Sequence, residues 1–305
     1  MATVRPVLPE PPPPSEASEP PEATEPSAAG LDLDVLRDGL EAAVRAASEA
    51  IRDVVARGNM KIGHKWGEGP VTEADHAADD VLHARLSPLI AGAHWLSEES
   101  EQSGPLIHGE PTWVIDPLDG TREFIRGLPE FGVSAALFAG DRLLLGAAGL
   151  PLGTDAEAGG GVYSGLLDGA RREARLDGEP LPSLLEAADT DTDTDDPGRV
   201  VVSRWDYEHR RLHLRLPYEV YPLGSAVVKL VHAATGAAGV YLSTGPRSVW
   251  DAAGGAAVLE AVGGTMLQFD GRPLQLSPQQ VGIPAFVAGT PARARAMLRG
   301  LGADL

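Results

Sequence analysis

The sequence predicts an α/β protein built from alternating layers of helices and strands. Three observations carry this. The 305 residues leave ample chain for a buried core. Apolar residues recur at helical spacing soon after a proline-rich start. Short strand-like runs then alternate with helical patterns along the rest of the chain. In order, Leu36, Leu40, Val44, Ala47, Ile51 and Val55 recur at three- and four-residue intervals and mark a first helix, with Gly58 as its stop. A second helix follows Thr72, with Ala77, Val81 and Leu82 facing inward. Strand-like runs come at 94–96, 112–115, 131–138 and 143–150, then at 199–203 and 218–221. Helical patterns cover 226–235 and 248–261, with a strand at 240–242 between them.

The charge balance is 25 Lys+Arg against 44 Asp+Glu, a net charge of −19. That argues against a duplex-DNA binder, whose affinity comes from basic side chains displacing phosphate counterions. It leaves room for an enzyme that binds cations. There are no cysteines, which excludes disulfides, thiolate metal sites and cysteine nucleophiles. No apolar run reaches ~18 residues, so no membrane helix is expected. The first residues lack the apolar stretch of a secretory signal, and a cytoplasmic protein is the expectation.

The chain divides into a disordered Pro/Glu-rich tail (1–30), an N-terminal α+β part (31–185), an acidic surface insertion (186–196) and a C-terminal α/β part (197–305). Residues 1–29 hold nine of the 26 prolines, and their five glutamates against one arginine give −4. Such a composition buries too little apolar surface to offset its ordering entropy. The insertion alternates Asp and Thr and adds −6, leaving −9 for the remainder. It lacks the glycine and distal glutamate of a calcium loop and reads as solvated surface. The eight histidines form no pair at ligand spacing. Gly159–Gly161 lacks the strand-to-helix setting of a dinucleotide loop.

The informative residues are acids beside turns. In Trp113-Val-Ile-Asp-Pro-Leu-Asp-Gly-Thr121 an apolar strand ends at Asp116, because Pro117 has no N–H with which to continue an interior strand. Asp119-Gly120-Thr121 reads as a helix entry, with Asp119 as a cap. Two carboxylates three residues apart can converge on a cation, while the helix start offers N–H groups to an anion. The Glu98-Glu99 pair, Asp251 in Trp250-Asp-Ala-Ala-Gly254, and Thr72/Asp75 at capping-box spacing follow the same theme. Each alone reads equally as a solvated pair, a dipole-compensating charge or a cap. Their joint occurrence in this order does not.

These residues resemble the inositol monophosphatase superfamily of metal-dependent, lithium-sensitive phosphatases. The matching segments are GPVTEAD (69–75), LSEES (96–100), WVIDPLDGT (113–121) and WDAAGGAAVLEAVGG (250–264). Within it, DGTREF (119–124), IRGLPEFGVSAAL (125–137), Lys65 ahead of Pro70, GPRSVWD (245–251) and GRPLQLSP (271–278) look most like the CysQ-type 3′(2′),5′-bisphosphate nucleotidases. Gly67 and Gly69 depart from that pattern, as does Tyr241-Leu242-Ser243, where those nucleotidases often carry an arginine. The inositol enzymes place a substrate-binding glutamate near Ser243 or Thr244.

The resemblance implies a layered αβαβα sandwich. It also implies that Glu98, Asp116, Asp119, Asp251 and the carbonyl of Leu118 hold two to three Mg2+ ions, with inhibition by Li+. Asp75 and Thr121, with Glu98, would activate the attacking water. Gly120 and Thr121 would hold the phosphate through backbone N–H groups, and Ser225 and Lys229 would lie on the substrate side. For Lys229 the bland alternative is a solvated helix lysine. The implied reaction is hydrolysis of a small phosphorylated substrate, adenosine 3′,5′-bisphosphate to AMP. The alternatives are an inositol or other sugar phosphate, and a non-catalytic protein- or RNA-binding role in which the Pro-rich tail meets an unknown partner. Family members are often homodimers.

Overall fold

A computed structural model describes residues 30–58, 61–65, 69–99, 109–153, 160–184 and 196–302. The tail and the acidic insertion expected from the sequence fall outside these residues, apart from Gly30 and Asp196. Among the described residues no helix is long and apolar enough to cross a membrane.

Helix α1 (Leu33–Arg57) starts at Asp32, whose carboxylate accepts the Val35 N–H, and stops at left-handed Gly58. Its buried stripe is Leu36, Leu40, Val44, Ala47, Ile51 and then Val54, while Val55 is 42% exposed. The expected Val55 is wrong for a geometric reason. The stripe steps three residues from Ile51 to Val54, which is 1% exposed, and so passes Val55 by. Strands β1 (Ile62–Lys65) and β2 (Gly69–Thr72) pair antiparallel. Helix α2 (Glu73–Leu86) follows a Thr72/Asp75 capping box. It buries Ala74, Ala78, Leu82 and Leu86, a strict four-residue row, so Ala77 and Val81 sit half-buried at its flank.

Strands β3 (His94–Ser97), β4 (Pro111–Asp119), β5 (Gly132–Ala139), β6 (Arg142–Leu150), β7 (Gly161–Asp168), β8 (Arg171–Leu176) and β9 (Glu179–Pro180) form one seven-stranded sheet in that order. Only the β3–β4 pair is parallel. Strand β4 runs past Asp116, contrary to expectation. Its pairing with β5 jumps from Asp116↔Ser134 to Asp119↔Gly132, which leaves one extra residue in β4. Pro117 sits in that bulge, where its missing N–H breaks no ladder bond.

The second sheet comprises β10 (Val200–Ser203), β11 (Val220–Leu223), β12 (Val240–Ser243), β14 (Thr265–Gln268) and β16 (Phe286–Gly289), in spatial order β11-β10-β12-β16-β14. Strand β10 lies parallel to both neighbours, and β16 antiparallel to both of its own. Strand β11 begins two residues later than expected, because its pairing with β10 opens at Val200↔Val220 while Tyr218 packs into an apolar cluster instead. The short strands β13 (Arg247–Ser248) and β15 (Gly282–Ile283) pair separately.

Helices α4 (Ala226–Thr235) and α5 (Val249–Ala261) lie between the two sheets, after the short α3 (Thr121–Ile125). Helix α6 (Pro291–Gly300) covers the outer face of the second sheet. The order is therefore α1/α2, seven-stranded sheet, α4/α5, five-stranded sheet, α6, an αβαβα sandwich with a core in each gap. Helix α5 is buried on nearly every side, and close approach is what its neighbours' glycines permit. A Cβ on Gly165 would stand 2.2 Å from the Ala257 carbonyl oxygen, and one on Gly254 2.4 Å from that of Ala147. Gly165→Ala is accordingly predicted to destabilise the protein by about 3 kcal/mol, since backbone cannot yield as a side chain would. The midpoint of urea unfolding measures this.

Candidate functional site

A cleft of about 440 Å³ opens where β4 ends and where α4 and α5 begin. Each of its acids comes from a different local device. Glu98 follows β3 and is tied to β4 by its own N–H, which donates to the Ile115 carbonyl at 3.1 Å. The bulge in β4 supplies Asp116, 1% exposed, with Oδ1 accepting the Leu118 N–H at 3.0 Å. Asp251 lies in the first turn of α5, where Oδ2 accepts the Ser248 N–H at 3.0 Å. One carboxylate oxygen from each of Glu98, Asp116 and Asp251 lies within 4.8 Å of the others.

Asp119 stands beside this trio and is held differently. The expected cap on α3 is not what it forms. That helix starts at Gly120, in left-handed conformation with no side-chain cap, and a Cβ there would lie 2.8 Å from the Glu130 carbonyl oxygen. Asp119 Oδ2 instead accepts from Ser225 Oγ and from the Val227 N–H, both at 2.7 Å, so it crosses to the start of α4.

Asp75 and Thr121 meet. Asp75 Oδ2 accepts from the Thr72 N–H and hydroxyl, and Oδ1 from Thr121 Oγ1 at 3.1 Å. The same Thr121 hydroxyl lies 3.1 Å from the Leu118 carbonyl. Lys229 borders the cleft but is not solvated. It is 2% exposed, and its ammonium donates to the carbonyls of Leu223, Gly224 and Ser225.

Crowding of buried acids sets the electrostatics. Burial, and then the charges of Glu98, Asp119 and Asp251, push the Asp116 carboxyl well above the usual range. Burial, followed by Asp119, pushes Asp251 up to about 7, against the Ser248 N–H. Asp75 is raised by burial despite its hydroxyl and N–H donors. These groups need positive charge, and among the described residues the Lys229 ammonium is engaged by backbone carbonyls.

The cleft residues that escaped the sequence reading include Glu123, Arg204, Trp205 and Arg247. Arg204 is clamped by Glu130, which accepts from its Nε at 3.0 Å and also from Nη2. Trp205 is 53% exposed at the rim. The available signal was positional. Residues just past the ends of parallel strands face the ligand crevice of such sheets, and Arg204 directly follows β10.

Fold and site together define a layered α/β protein whose inter-sheet cleft gathers buried carboxylates. The model of the inositol monophosphatase family matches residues 32–298, and the chain belongs to that family. It is 32% identical over 130 residues to an inositol-1-monophosphatase of Mesorhizobium japonicum, covering 41% of this chain and 47% of that one. It is 36% identical over 110 residues to the 3′(2′),5′-bisphosphate nucleotidase CysQ of Salmonella typhimurium, covering 35% and 45%. These matches thus span under half the length of either relative. Among solved structures, an inositol monophosphatase from Anabaena superposes with a TM-score of 0.69 at 23% identity, covering 89% of this chain and 97% of that one.

The raised Asp251 carboxyl has a consequence for stability. A folded-state value above the unfolded 3.8 favours the folded protein at low pH, and that contribution is lost as pH climbs from 3.8 to about 7. Chelator-treated protein is predicted to lose on the order of 4 kcal/mol over that window relative to Asp251→Asn. Calorimetric melting of both proteins across pH checks it.

Proposed function

We propose that the chain is a Mg2+-dependent phosphomonoester hydrolase that removes the 3′-phosphate of adenosine 3′,5′-bisphosphate. The observation that carries the hydrolase reading is the trio of carboxylate oxygens within 4.8 Å on Glu98, Asp116 and Asp251. All are hard oxygen donors, with no histidine or cysteine among them, which suits Mg2+. Buried like charges this close call for a cation. Asp119 and the Leu118 carbonyl would complete the set with Asp116, the most deeply buried of these acids. When bound, such ions neutralise phosphate charge and acidify a water.

The chain's own residues do the rest. The Thr121 hydroxyl donates to Asp75, so its oxygen remains able to accept a hydrogen from the attacking water. Asp75, made more basic by burial, takes up the Thr121 proton in exchange. Glu98, itself one of the trio, would also orient that water. Gly120 and Thr121 offer backbone N–H groups to the phosphate. Charge neutralisation and positioning account for most of the acceleration.

The nucleotide reading is favoured by the DGTREF and GPRSVWD segments and by the cleft rim. Trp205, which already stacks on His209 and is half exposed, adds aromatic surface at the rim for a base, while Arg247 offers guanidinium charge for a second phosphate. The inositol phosphate reading is favoured by Ser243, which stands in place of the nucleotidase arginine and is fully buried. Purified protein supplied with Mg2+ is expected to release phosphate from adenosine 3′,5′-bisphosphate faster than from inositol 1-phosphate. It should also be inhibited by Li+. Phosphate release from inositol phosphate alone would overturn the nucleotide reading. Asp119→Asn is expected to lower kcat by at least ~10³-fold, as loss of a charge-stabilising group does; turnover equal to wild type would overturn the hydrolase site.

A further inference from the structure

Ser225 carries a backbone conformation that a side chain resists. Its φ of 52° and ψ of 132° lie outside even the small left-handed region open to L-residues. Such strain persists only where the surroundings over-determine it, and it concentrates where function needs it. The surroundings here are unusually complete. The Lys229 ammonium, buried among apolar residues, donates to the carbonyls of Leu223, Gly224 and Ser225, which frame the strained residue on both sides. Glu130, itself gripped by Arg204, accepts the Gly224 N–H at 2.7 Å. Gly224 has no room for a side chain, since a Cβ would meet the Glu123 Cγ at 2.2 Å.

What the strain secures is the direction of one hydroxyl. Ser225 Oγ accepts the Val228 N–H at 3.1 Å and donates to Asp119 Oδ2 at 2.7 Å. The Val227 N–H reaches the same oxygen. Two donors on Oδ2 fix the carboxylate and leave Oδ1 to a cation. A glycine, with no Cβ, would carry this backbone with less strain but could donate nothing to Asp119.

We propose that Ser225 is a positioning residue, held in a strained conformation by Lys229 and Glu130 in order to aim Asp119 at the bound cation. This rests on the cation-binding reading above, in which Asp119 is a ligand. It differs from a substrate-contact role, because the Ser225 hydroxyl is already engaged on both sides within the protein.

The test uses the full chain, with Mg2+ alone as the probe, and reads two quantities: melting temperature in chelator and Mg2+ affinity by calorimetry. Ser225→Gly is expected to melt several degrees higher than wild type while binding Mg2+ about ten-fold more weakly. Ser225→Ala, which keeps the strain and loses the hydroxyl, is expected to bind as weakly without the gain in melting temperature. A merely structural serine would not move stability and affinity in opposite directions. Asp119→Asn separates the two claims. Loss of Mg2+ affinity there with wild-type affinity in Ser225→Gly overturns the positioning role alone. Wild-type affinity in Asp119→Asn overturns the cation-binding reading and this inference with it. A melting temperature for Ser225→Gly at or below wild type overturns the strain.

Discussion

Repulsion among buried carboxylates is the constraint on which the rest of this structure turns. Asp116 faces Glu98, Asp119 and Asp251 at 1% exposure, and removing charges from water is costly unless they are paired. Among the described residues Arg247 opposes part of this repulsion at Asp251. The protein also answers with fixed N–H and hydroxyl donors: Leu118 to Asp116, Ser248 to Asp251, Ser225 and Val227 to Asp119. Such donors orient the acids without cancelling their charge, so the cleft keeps its demand for cations.

Holding that arrangement requires every contributing element to be rigid. The layered order provides this by giving each gap its own apolar core. The bulge of β4 lies in a strand flanked on both sides by partners. The start of α5 is continuous with a helix wedged between two sheets. Gly146, Gly165 and Gly254 bring that helix within backbone distance of the seven-stranded sheet. The acids thus stand on elements that cannot relax apart when their charges repel.

Much of this was legible in the sequence, for identifiable reasons. Strongly periodic helices were placed well; the spacing gives α4 at its observed bounds, and α5 starts one residue inside its cap. The acids were found because each occupies a turn or helix start that carries its own signature. Other elements were not legible. Strand β8 is written in arginines and a glutamate that pair with α1, so it lacks an apolar run. Helix α6 carries three arginines among alanines, and its Thr290 cap with Pro291 was the signal available. Pro117 misled because a rule about ladder bonds does not apply inside a bulge. Lys229 misled because its partners are carbonyls from a turn that no local pattern predicts. Arg204 and Trp205 reach the cleft only through the order of parallel strands, which pairing decides and spacing does not.

Helix α5 and the cleft rim differ in how they are held, and this bears on how such a protein diversifies. Within α5 a Cβ on Gly254 or Gly255 would meet its neighbours at 2.4 and 2.7 Å, and Asp251 stands on the first turn of that same wedged helix. Arg204 and Trp205 directly precede a single wide turn, Asp206–Arg210, which is held through Asp206 by Ser203 and Thr244 and through Tyr207 against the apolar cluster of the second sheet. Substitution of Trp205, exposed at the rim, changes what the mouth of the cleft meets, whereas Arg204 reaches back through Glu130 and Gly224 to the residue that holds Asp119. Selection for a new substrate can therefore act on Trp205 without touching the acids, while a change at Arg204 bears on both.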